Sequence, residues 1–458
     1  MDRIRIGNGC GFWGDNLDAP VLLAEHGRLD YLTLEYLAEL TMSILAIQKQ
    51  RDPQAGYAGD FLEVLEQLCP VLRSQPRLRI VTNAGGMNPL GCAAKSRQLL
   101  DRAGLADRLI GVVDGDDLLP DLDRLLAAGH ALANLDTGAP LSAIRARVVS
   151  ANAYLGAQPI VAALRAGASL VITGRVADAS LTLGPAVHEL GWSWDDWDRL
   201  SSGSVAGHLI ECGAQCTGGL WCNWTEAANL GNVGYPIAEI ERDGNFRITK
   251  PPGSGGAVNR ETIAEQLLYE VGDPAAYLTP DVTADFTSVT LTETGSDIVQ
   301  ISGARGRPAT DTYKVSIAYR DGFTASGTLV ILGPGAPAKA RACGAMILER
   351  LRRAGLDLEQ SNIECLGAGA VVLGVVLARA EPPEVVLRVT VRDPRRGAVE
   401  RFTKEFAPLV TSGPPGVTGY TTGRPPVREV IAYWPALVAK SALIPRVCLY
   451  NKQETNRE

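Results

Sequence analysis

The chain has 458 residues, of which 46% are hydrophobic and 21% are charged, and its 49 glycines and 27 prolines follow no fixed period. This composition excludes a disordered or fibrous protein and is typical of a loop-rich globular chain with about two or three domains. The 44 Lys and Arg against 51 Asp and Glu give a net charge of -7. Because no basic stretch is interleaved with aromatic residues, nucleic-acid binding is not expected.

The apolar runs and the N-terminus bear on where the protein works. The longest apolar runs, such as Val371–Ala378 and Ser169–Thr173, are far shorter than the roughly 20 residues of a membrane helix, so we expect no membrane association. The first residues are polar and lead into a short strand, without the pattern of a signal or transit peptide. The sequence therefore predicts a cytoplasmic protein.

Nine cysteines are scattered along the chain without a CxxC pair, which argues against a disulfide framework and against a zinc site. Cys212, Cys216 and Cys222 are closer together, and buried reduced thiols are the simpler interpretation of this group. The sequence therefore predicts no bound metal.

The first half of the chain alternates short apolar strands with amphipathic helices. The predicted strands are Ile4–Ile6, Tyr31–Leu34, Leu78–Thr82, Leu109–Val113, Leu132–Leu135, Val148–Val149 and Ser169–Thr173. The predicted helices are Asp18–Glu25, Ala38–Lys49, Phe61–Arg73, Cys92–Ala103 and Gln158–Ala166. This alternation is typical of a mostly parallel sheet with helices on both faces. It predicts that residues 1–245 form an α/β domain.

Beyond a turn-rich stretch at residues 244–256, the hydrophobic period becomes two, as in antiparallel strands joined by glycine-rich turns. The predicted strands are Thr287–Glu293, Ile298–Ser302, Thr312–Tyr319, Thr324–Leu332, Val371–Ala378 and Glu384–Arg392, followed by the apolar stretch Val427–Val438. The predicted helices are Ala338–Ala354 and Ala398–Leu409. Residues 250–458 are therefore expected to form an α+β domain with an antiparallel sheet.

Glycine-rich and amide-bearing loops follow several of the predicted strands, where the ligands of such sheets bind. The candidate substrate-binding residues in these loops are Gly9, Gly11, Asn83, Gly85, Gly86 and Asn88. Glycine amides can approach a carboxylate or phosphate closely, and asparagine can hydrogen-bond an oxyanion. Tight structural turns and local capping by asparagine are open alternatives. The first loop lacks the lysine and hydroxyl of a phosphate-binding loop, so no nucleotide cofactor is predicted.

Charged residues in the same loops are candidates for acid–base chemistry. Asp15, Glu35 and Asp178 are the candidate acids or bases, because each comes shortly after a predicted strand. Arg175 lies three residues before Asp178, so the two share a helix face, and an arginine there can hold a substrate carboxylate. An internal ion pair between Arg175 and Asp178 is the alternative.

A second polar group is predicted on one helical face of Gly207–Gln215, where His208, Glu211, Cys212 and Gln215 recur at spacings of three and four. A buried helix rarely carries so many polar groups without a purpose. We interpret His208, Glu211 and Cys212 as candidate catalytic residues and Gln215 as a candidate substrate contact. A thiol beside an imidazole can act as a nucleophile, but no third orienting group is evident in the sequence.

Several of these segments together resemble the acyclic terpene utilisation family, AtuA. The resemblance rests on residues 5–15, 30–39, 81–89, 152–157, 173–180, 208–219 and 265–270, and continues through 412–417 and 423–425. It implies a link to the bacterial breakdown of acyclic terpenoid acids as coenzyme A thioesters. Cys10 and Cys216 depart from the family pattern and Cys212 fits it, so the resemblance favours Cys212 as the candidate thiol.

Three functions are compatible with these residues. The first is a lyase or hydratase that acts on an acyl-coenzyme A thioester or related carboxylate by acid–base chemistry, with coenzyme A only as part of the substrate and no cofactor. The second is an acyl transferase or thioesterase that uses Cys212 with His208. The third is a non-catalytic subunit that binds an acyl ligand or a partner protein. A small-molecule acyl substrate and a homo-oligomer are the expected partners.

Overall fold

The structure is a computed structural model, and it describes residues 1–371, 381–418 and 423–450. The chain forms two compact units. The first comprises Met1–Ala318 together with the chain from Tyr433 onward, and the second comprises Tyr319–Ala432. The division near residues 245–250, which marks the change in hydrophobic period, stays a prediction.

The strands and helices are numbered in chain order. The strands are β1 (Arg3–Asn8), β2 (Tyr31–Leu34), β3 (Arg79–Thr82), β4 (Ile110–Asp114), β5 (Val148–Ala153), β6 (Leu170–Thr173), β7 (Ile237–Glu241), β8 (Phe246–Thr249), β9 (Tyr277–Leu278), β10 (Thr283–Asp285), β11 (Thr290–Gly295), β12 (Ile298–Ser302), β13 (Arg305–Arg307), β14 (Thr312–Leu332), β15 (Gln360–Leu366), β16 (Glu384–Asp393), β17 (Arg428–Ala439) and β18 (Arg446–Leu449). The α-helices are α1 (Ala19–His26), α2 (Glu39–Arg51), α3 (Asp60–Ser74), α4 (Pro89–Arg102), α5 (Leu122–Ala127), α6 (Gln158–Arg165), α7 (Ser180–Leu190), α8 (Trp197–Glu211), α9 (Arg260–Leu268), α10 (Ala336–Arg353), α11 (Arg396–Phe402) and α12 (Leu409–Ser412).

The main sheet of the first unit contains, among the described residues, ten strands in the order β11-β12-β8-β7-β1-β2-β3-β6-β4-β18. Strands β1, β2, β3, β6 and β4 pair in parallel, with Ile6 opposite Tyr31 and Val81 opposite Val171. Strand β7 on one side and β18 on the other pair antiparallel to this group. The expected α/β class with a mostly parallel N-terminal sheet is confirmed.

Burial explains why the central strands form where they do. Every residue of β2 is buried, which is typical of a parallel strand covered on both faces. Helix α3 buries Phe61, Val64, Leu68 and Leu72, which recur at three and four, in the core beside this sheet. Burying each such side chain contributes about 1.5 to 3 kcal/mol.

The antiparallel sheet that was expected in the C-terminal part of the chain is present in the second unit, which has its own core. Strand β16 pairs antiparallel with β15 on one side and with the end of β14 on the other. Helix α10 contributes Ala340, Cys343, Ile347 and Leu351 to the core of this unit. Because these four positions recur at three and four, one face of the helix is apolar along its length.

Five of the predicted elements differ from the structure or lie outside it. Leu132–Leu135 is not a strand: Leu132 has a φ of 45°, and the side chain of Asn134 accepts hydrogen bonds from two backbone amides of the turn that follows. The predicted helix Ala398–Leu409 is interrupted after Phe402. The two strands predicted within β14 are one strand. Apart from Val371, the predicted strand Val371–Ala378 lies outside the described residues.

The carboxyl ends of the parallel strands define the edge of the sheet that matters for function. Since β1, β2, β3 and β6 run in the same direction, the loops that follow them start from one edge. These loops carry most of the candidate residues. No helix among the described residues is both long and apolar enough to cross a membrane.

Candidate functional site

Glu35 follows β2 and is buried, with 4% of its surface exposed. Its Oε1 accepts hydrogen bonds from the backbone N–H of Leu37 at 2.8 Å and from the side-chain amide of Asn83. Its Oε2 is buried without a hydrogen-bond partner. Burial raises the pKa of Glu35 well above its usual range, and the charge of Asp178 raises it further, while Arg175 opposes both effects. Glu35 is therefore a carboxyl group that readily holds a proton.

Arg175 follows β6, and its side chain is 2% exposed. Its guanidinium donates hydrogen bonds to Oδ1 of Asp178 at 2.7 Å and to the backbone carbonyl of Leu37 at 3.2 Å, and it lies 3.9 Å from Oε1 of Glu35. Arg175 and Asp178 thus form the internal ion pair that the sequence left as one alternative. We refer to Glu35, Asn83, Arg175 and Asp178 as the Arg175 cluster.

His208 and Glu211 lie on the last turn of α8. Nδ1 of His208 is 3.1 Å from Oε1 of Glu211, and Nε2 is 3.0 Å from the backbone carbonyl of Gln266. Burial raises the pKa of Glu211 to about 7, although the hydrogen bond from His208 lowers it. For His208, burial lowers the pKa, but the hydrogen bond and charge of Glu211 outweigh burial and raise it. The pair therefore holds a proton that can be exchanged near neutral pH.

Asp178 connects the Arg175 cluster with this His208–Glu211 pair. It binds Arg175 directly, and its charge raises the pKa of both Glu35 and Glu211. Perturbed carboxyl groups that influence one another are typical of acid–base sites. The charge of Asp178 thus acts on carboxyl groups in the loop after β2 and at the end of α8.

Cys212 lies at the end of α8, and its surroundings favour the protonated thiol over the thiolate. Burial raises the pKa of Cys212 to about 12, and the charge of Glu211 raises it further, so the thiol stays protonated near neutral pH. Both ring nitrogens of His208 face other groups. The predicted helical face stops at Glu211 because Gly213 has a φ of 59°, and Gln215 lies in the short 3-10 turn beyond it.

The loop after β1 carries Asp15, Gly9 and Gly11, which contact residues outside the Arg175 cluster. Asp15 accepts hydrogen bonds from the N–H of Gly11 at 2.8 Å and from the hydroxyl of Tyr235 at 2.6 Å. A Cβ at Gly11 would lie 2.7 Å from the carbonyl carbon of Cys212, and a Cβ at Gly9 would lie 2.8 Å from the backbone of α1. Close packing is a sufficient reason for both glycines, and their substrate-binding role stays a prediction.

In the loop after β3, Asn83 is the residue that contacts the Arg175 cluster. A Cβ at Gly85 would lie 2.5 Å from the carbonyl oxygen of Thr173, and Gly86 has a φ of 48°. Asn88 is the N-cap of α4, since its side chain accepts a hydrogen bond from the first turn of that helix. Roles for Gly85, Gly86 and Asn88 in substrate binding also stay predictions.

Sequence reasoning missed four polar residues at this edge. The ring of Tyr154 lies over the guanidinium of Arg175, with Cζ 4.1 Å from the ring centre, and its hydroxyl donates to Glu39. Lys314 binds the same carboxylate at 3.2 Å. Asn8 donates hydrogen bonds to two carbonyls at the end of α8, at 2.8 and 3.0 Å. Asn8 and Tyr154 lie in segments that carried the family resemblance, and that signal could have identified them.

Two cavities of the first unit are lined by residues outside the Arg175 cluster. One of about 490 Å³ is lined by Gly156, Gln158, Pro159, Ala162, Pro280, Asp281, Tyr313, Lys440, Pro445 and Val447, none of which was a candidate. Another of about 330 Å³ is lined by Gly86 and Asn88 together with acidic residues after β4. Within the described ranges, no group of three or more His, Cys, Asp or Glu side chains is placed to hold a metal ion.

The fold and the site define an α/β protein with a buried cluster of acidic, arginine and histidine side chains at the carboxyl edge of its parallel strands. The chain belongs to the acyclic terpene utilisation family AtuA, whose family model matches residues 4–449. This match confirms the resemblance and implies a role in acyclic terpene utilisation. No curated protein and no solved structure matches the chain significantly.

Proposed function

We propose that this protein is an enzyme of acyclic or branched acyl metabolism, a lyase or hydratase that acts on an acyl-coenzyme A thioester or related carboxylate. The observation that carries the proposal is the pair of carboxyl groups Glu35 and Asp178 beside one buried arginine, together with Glu211, whose pKa the charge of Asp178 raises. Family membership supplies the substrate class as a context.

Adding water to a double bond beside a carbonyl, or removing it, requires two proton transfers. When water is removed, a base takes a proton from the carbon next to the carbonyl. The electron pair of the broken C–H bond forms the double bond, and the hydroxyl leaves as water with a proton from an acid. Such groups work best when their pKa lies near the working pH. Glu211, with a pKa of about 7, meets this requirement, and His208 is its hydrogen-bond partner.

The remaining members of the Arg175 cluster support the same chemistry. The negative charge that develops on the carbonyl oxygen in such a reaction is stabilised by fixed donors and cations. Arg175 supplies a permanent positive charge, and Asn83 holds the carboxyl group of Glu35 in one orientation. The site needs no redox cofactor for this reaction.

The test is exchange of hydrogen for deuterium at the carbon next to the carbonyl. The protein is incubated in heavy water with coenzyme A thioesters and free acids of branched α,β-unsaturated and β-hydroxy acids, and the products are followed by NMR. Glu211→Gln is expected to slow exchange by about 100-fold or more, because proton transfer by one side chain contributes roughly that factor. Glu405→Gln, at a buried, ion-paired carboxylate of the second unit, is the matched control.

Exchange at the wild-type rate in Glu211→Gln would contradict the assignment of roles. No exchange with any compound, in a protein whose melting shows it folded, would contradict the lyase or hydratase proposal and favour the binding subunit. Hydrolysis or transfer of the acyl group that is lost in Cys212→Ala would instead favour the thiol-dependent route.

A further inference from the structure

Two cations lie against the ring of Tyr154, and they differ in their access to solvent. Cζ of Arg175 is 4.1 Å and Nζ of Lys314 is 4.8 Å from the ring centre. The side chain of Arg175 is 2% exposed, whereas that of Lys314 is 46% exposed. An anion arriving from solvent therefore meets Lys314 first, and Arg175 is a second cation at the same ring.

Arg175 already has partners inside the protein. Asp178 binds it at 2.7 Å, the carbonyl of Leu37 accepts a second hydrogen bond, and Glu35 lies 3.9 Å away. A substrate carboxylate could bind Arg175 only by displacing these groups from a nearly closed site. Desolvating a charge in such a site costs several kcal/mol.

Glu39, the ion-pair partner of Lys314, is easier for an incoming anion to displace than the partners of Arg175. Glu39 is 36% exposed and binds Nζ at 3.2 Å, and it also accepts a hydrogen bond from the hydroxyl of Tyr154. Burial raises the pKa of Glu39, but the bond from Tyr154 and the charge of Lys314 outweigh burial and lower it to about 2, so Glu39 is ionised. If Lys314 turns to another anion, Glu39 keeps its bond to Tyr154.

We infer that Lys314 is the residue that binds the carboxylate of an acyl substrate, with Arg175 as a second, buried cation against the ring of Tyr154. The inference rests on the proposed function in taking an acyl compound as substrate, and it adds that this compound carries a free carboxylate. Tyr433 flanks Nζ of Lys314 at 5.9 Å and is 40% exposed, so its ring offers an apolar surface beside the ammonium group to the acyl chain.

The test observes Lys314 directly by NMR after reductive methylation with labelled methyl groups, which keeps the charge of the eight lysines in the chain. The Lys314 signal is identified by its absence in Lys314→Arg. The probe is β,β-dimethylacrylate, a small branched unsaturated acid, and its uncharged amide is the matched compound. The Lys314 signal is expected to move with the acid until saturation and not with the amide.

Lys440 is the matched control, because its Nζ also lies over a tyrosine ring, that of Tyr313 at 5.6 Å. Whereas Lys314 binds a carboxylate, Lys440 donates a hydrogen bond to a backbone carbonyl, that of Pro280. Its signal is expected to stay in place. Glu39→Gln removes the competing charge beside Lys314 and is expected to tighten binding of the acid by about two- to fivefold, the worth of one exposed ion pair. Lys314→Met is expected to weaken binding.

A Lys314 signal that does not move with the acid would overturn the inference. So would weaker binding in Glu39→Gln, since Glu39 and Lys314 would then be a purely structural pair. The proposed function fails separately: binding at Lys314 without deuterium exchange in any compound would leave the inference standing and refute the lyase or hydratase. Deuterium exchange without a response of the Lys314 signal would leave the proposed function standing and refute the inference about Lys314.

Discussion

Arg175 illustrates how much of the site is decided by single side chains. Burying a guanidinium costs several kcal/mol, and the cost is balanced only when its donors are satisfied and an opposite charge is near. Asp178 and the carbonyl of Leu37 do this for part of the group, and the ring of Tyr154 adds a cation–π contact of roughly 0.5 to 2 kcal/mol. The Nε atom of Arg175 is buried without a partner.

Arg175→Ala is expected to lower the free energy of unfolding by about 3 to 5 kcal/mol, because it breaks the ion pair with Asp178 and removes the guanidinium that packs against the ring of Tyr154. Asp178→Asn is expected to lower it by less, since Asp178 is 36% exposed and water can replace its contacts. Chemical denaturation of both variants measures the difference. Arg124→Ala, at an exposed ion pair, is the control and should have the same free energy of unfolding as the wild type. Equal losses at Arg175 and Arg124 would contradict the buried-cation interpretation.

The sequence predicts part of this site and misses the rest for a physical reason. Arg175 and Asp178 are three residues apart, so their contact follows from local geometry, and His208 and Glu211 pair for the same reason. Tyr154 reaches Arg175 only because β5 and β6 bring their ends together in three dimensions. Neither propensity nor spacing encodes such a contact.

Elements with a strong local pattern were predicted with their bounds. Strands β2 and β12 begin and end as expected, because β2 is a short, mostly apolar run and buried side chains alternate along β12. The end of α8 was placed too late, although Gly213 follows Glu211 and Cys212 and glycine after a helix commonly takes a positive φ. That error placed Gln215 on the same face as His208.

Helix α4 offers a test of whether the loop after β3 is a structural element. Oδ1 of Asn88 accepts a hydrogen bond from the N–H of Gly91 at 3.0 Å, and its amide donates to the carbonyl of Ala55 at 2.9 Å. Asn88→Ser keeps a capping oxygen and loses the donated bond, while Asn88→Ala loses both. The alanine variant is therefore expected to be less stable than the serine variant by about 1 kcal/mol. Equal denaturation midpoints would show that capping is not what Asn88 contributes.

At the scale of the whole molecule, the carboxyl edge of the sheet concentrates buried acids. Burial raises the pKa of Asp116, just after β4, to about 7, as it does for Glu211. Asp116 is held by the backbone N–H of Arg175 at 2.9 Å and by the side chain of Asn152 at 2.8 Å. The first unit therefore carries several carboxyl groups whose pKa lies above the ordinary value of a carboxyl group. Self-association of the protein stays a prediction at this scale.

These groups make the stability of the first unit depend on pH in a defined direction. In the unfolded chain Asp116 and Glu211 lose their protons near their ordinary pKa values of 3.8 and 4.5, whereas in the folded protein they lose them near about 7. Between these values the folded state binds more protons, so its stability falls as the pH rises. The stability that Asp116 and Glu211 contribute by holding their protons is fully present below about pH 4. It is lost as the pH rises through about 7.

The prediction is that the free energy of unfolding of the first unit decreases between about pH 5 and pH 8, by an amount on the order of 3 kcal/mol for each such group. Tryptophan fluorescence isolates this unit, because all 7 tryptophans lie in it. Asp116→Asn keeps an oxygen that can accept from Arg175 and Asn152 but cannot titrate, so its stability should depend less steeply on pH. Asp121→Asn, at an exposed aspartate nearby in the chain, should keep the wild-type slope. Parallel curves for the wild type and Asp116→Asn would mean that Asp116 is ionised in the folded protein, and that burial at this edge of the sheet does not hold protons on its acids.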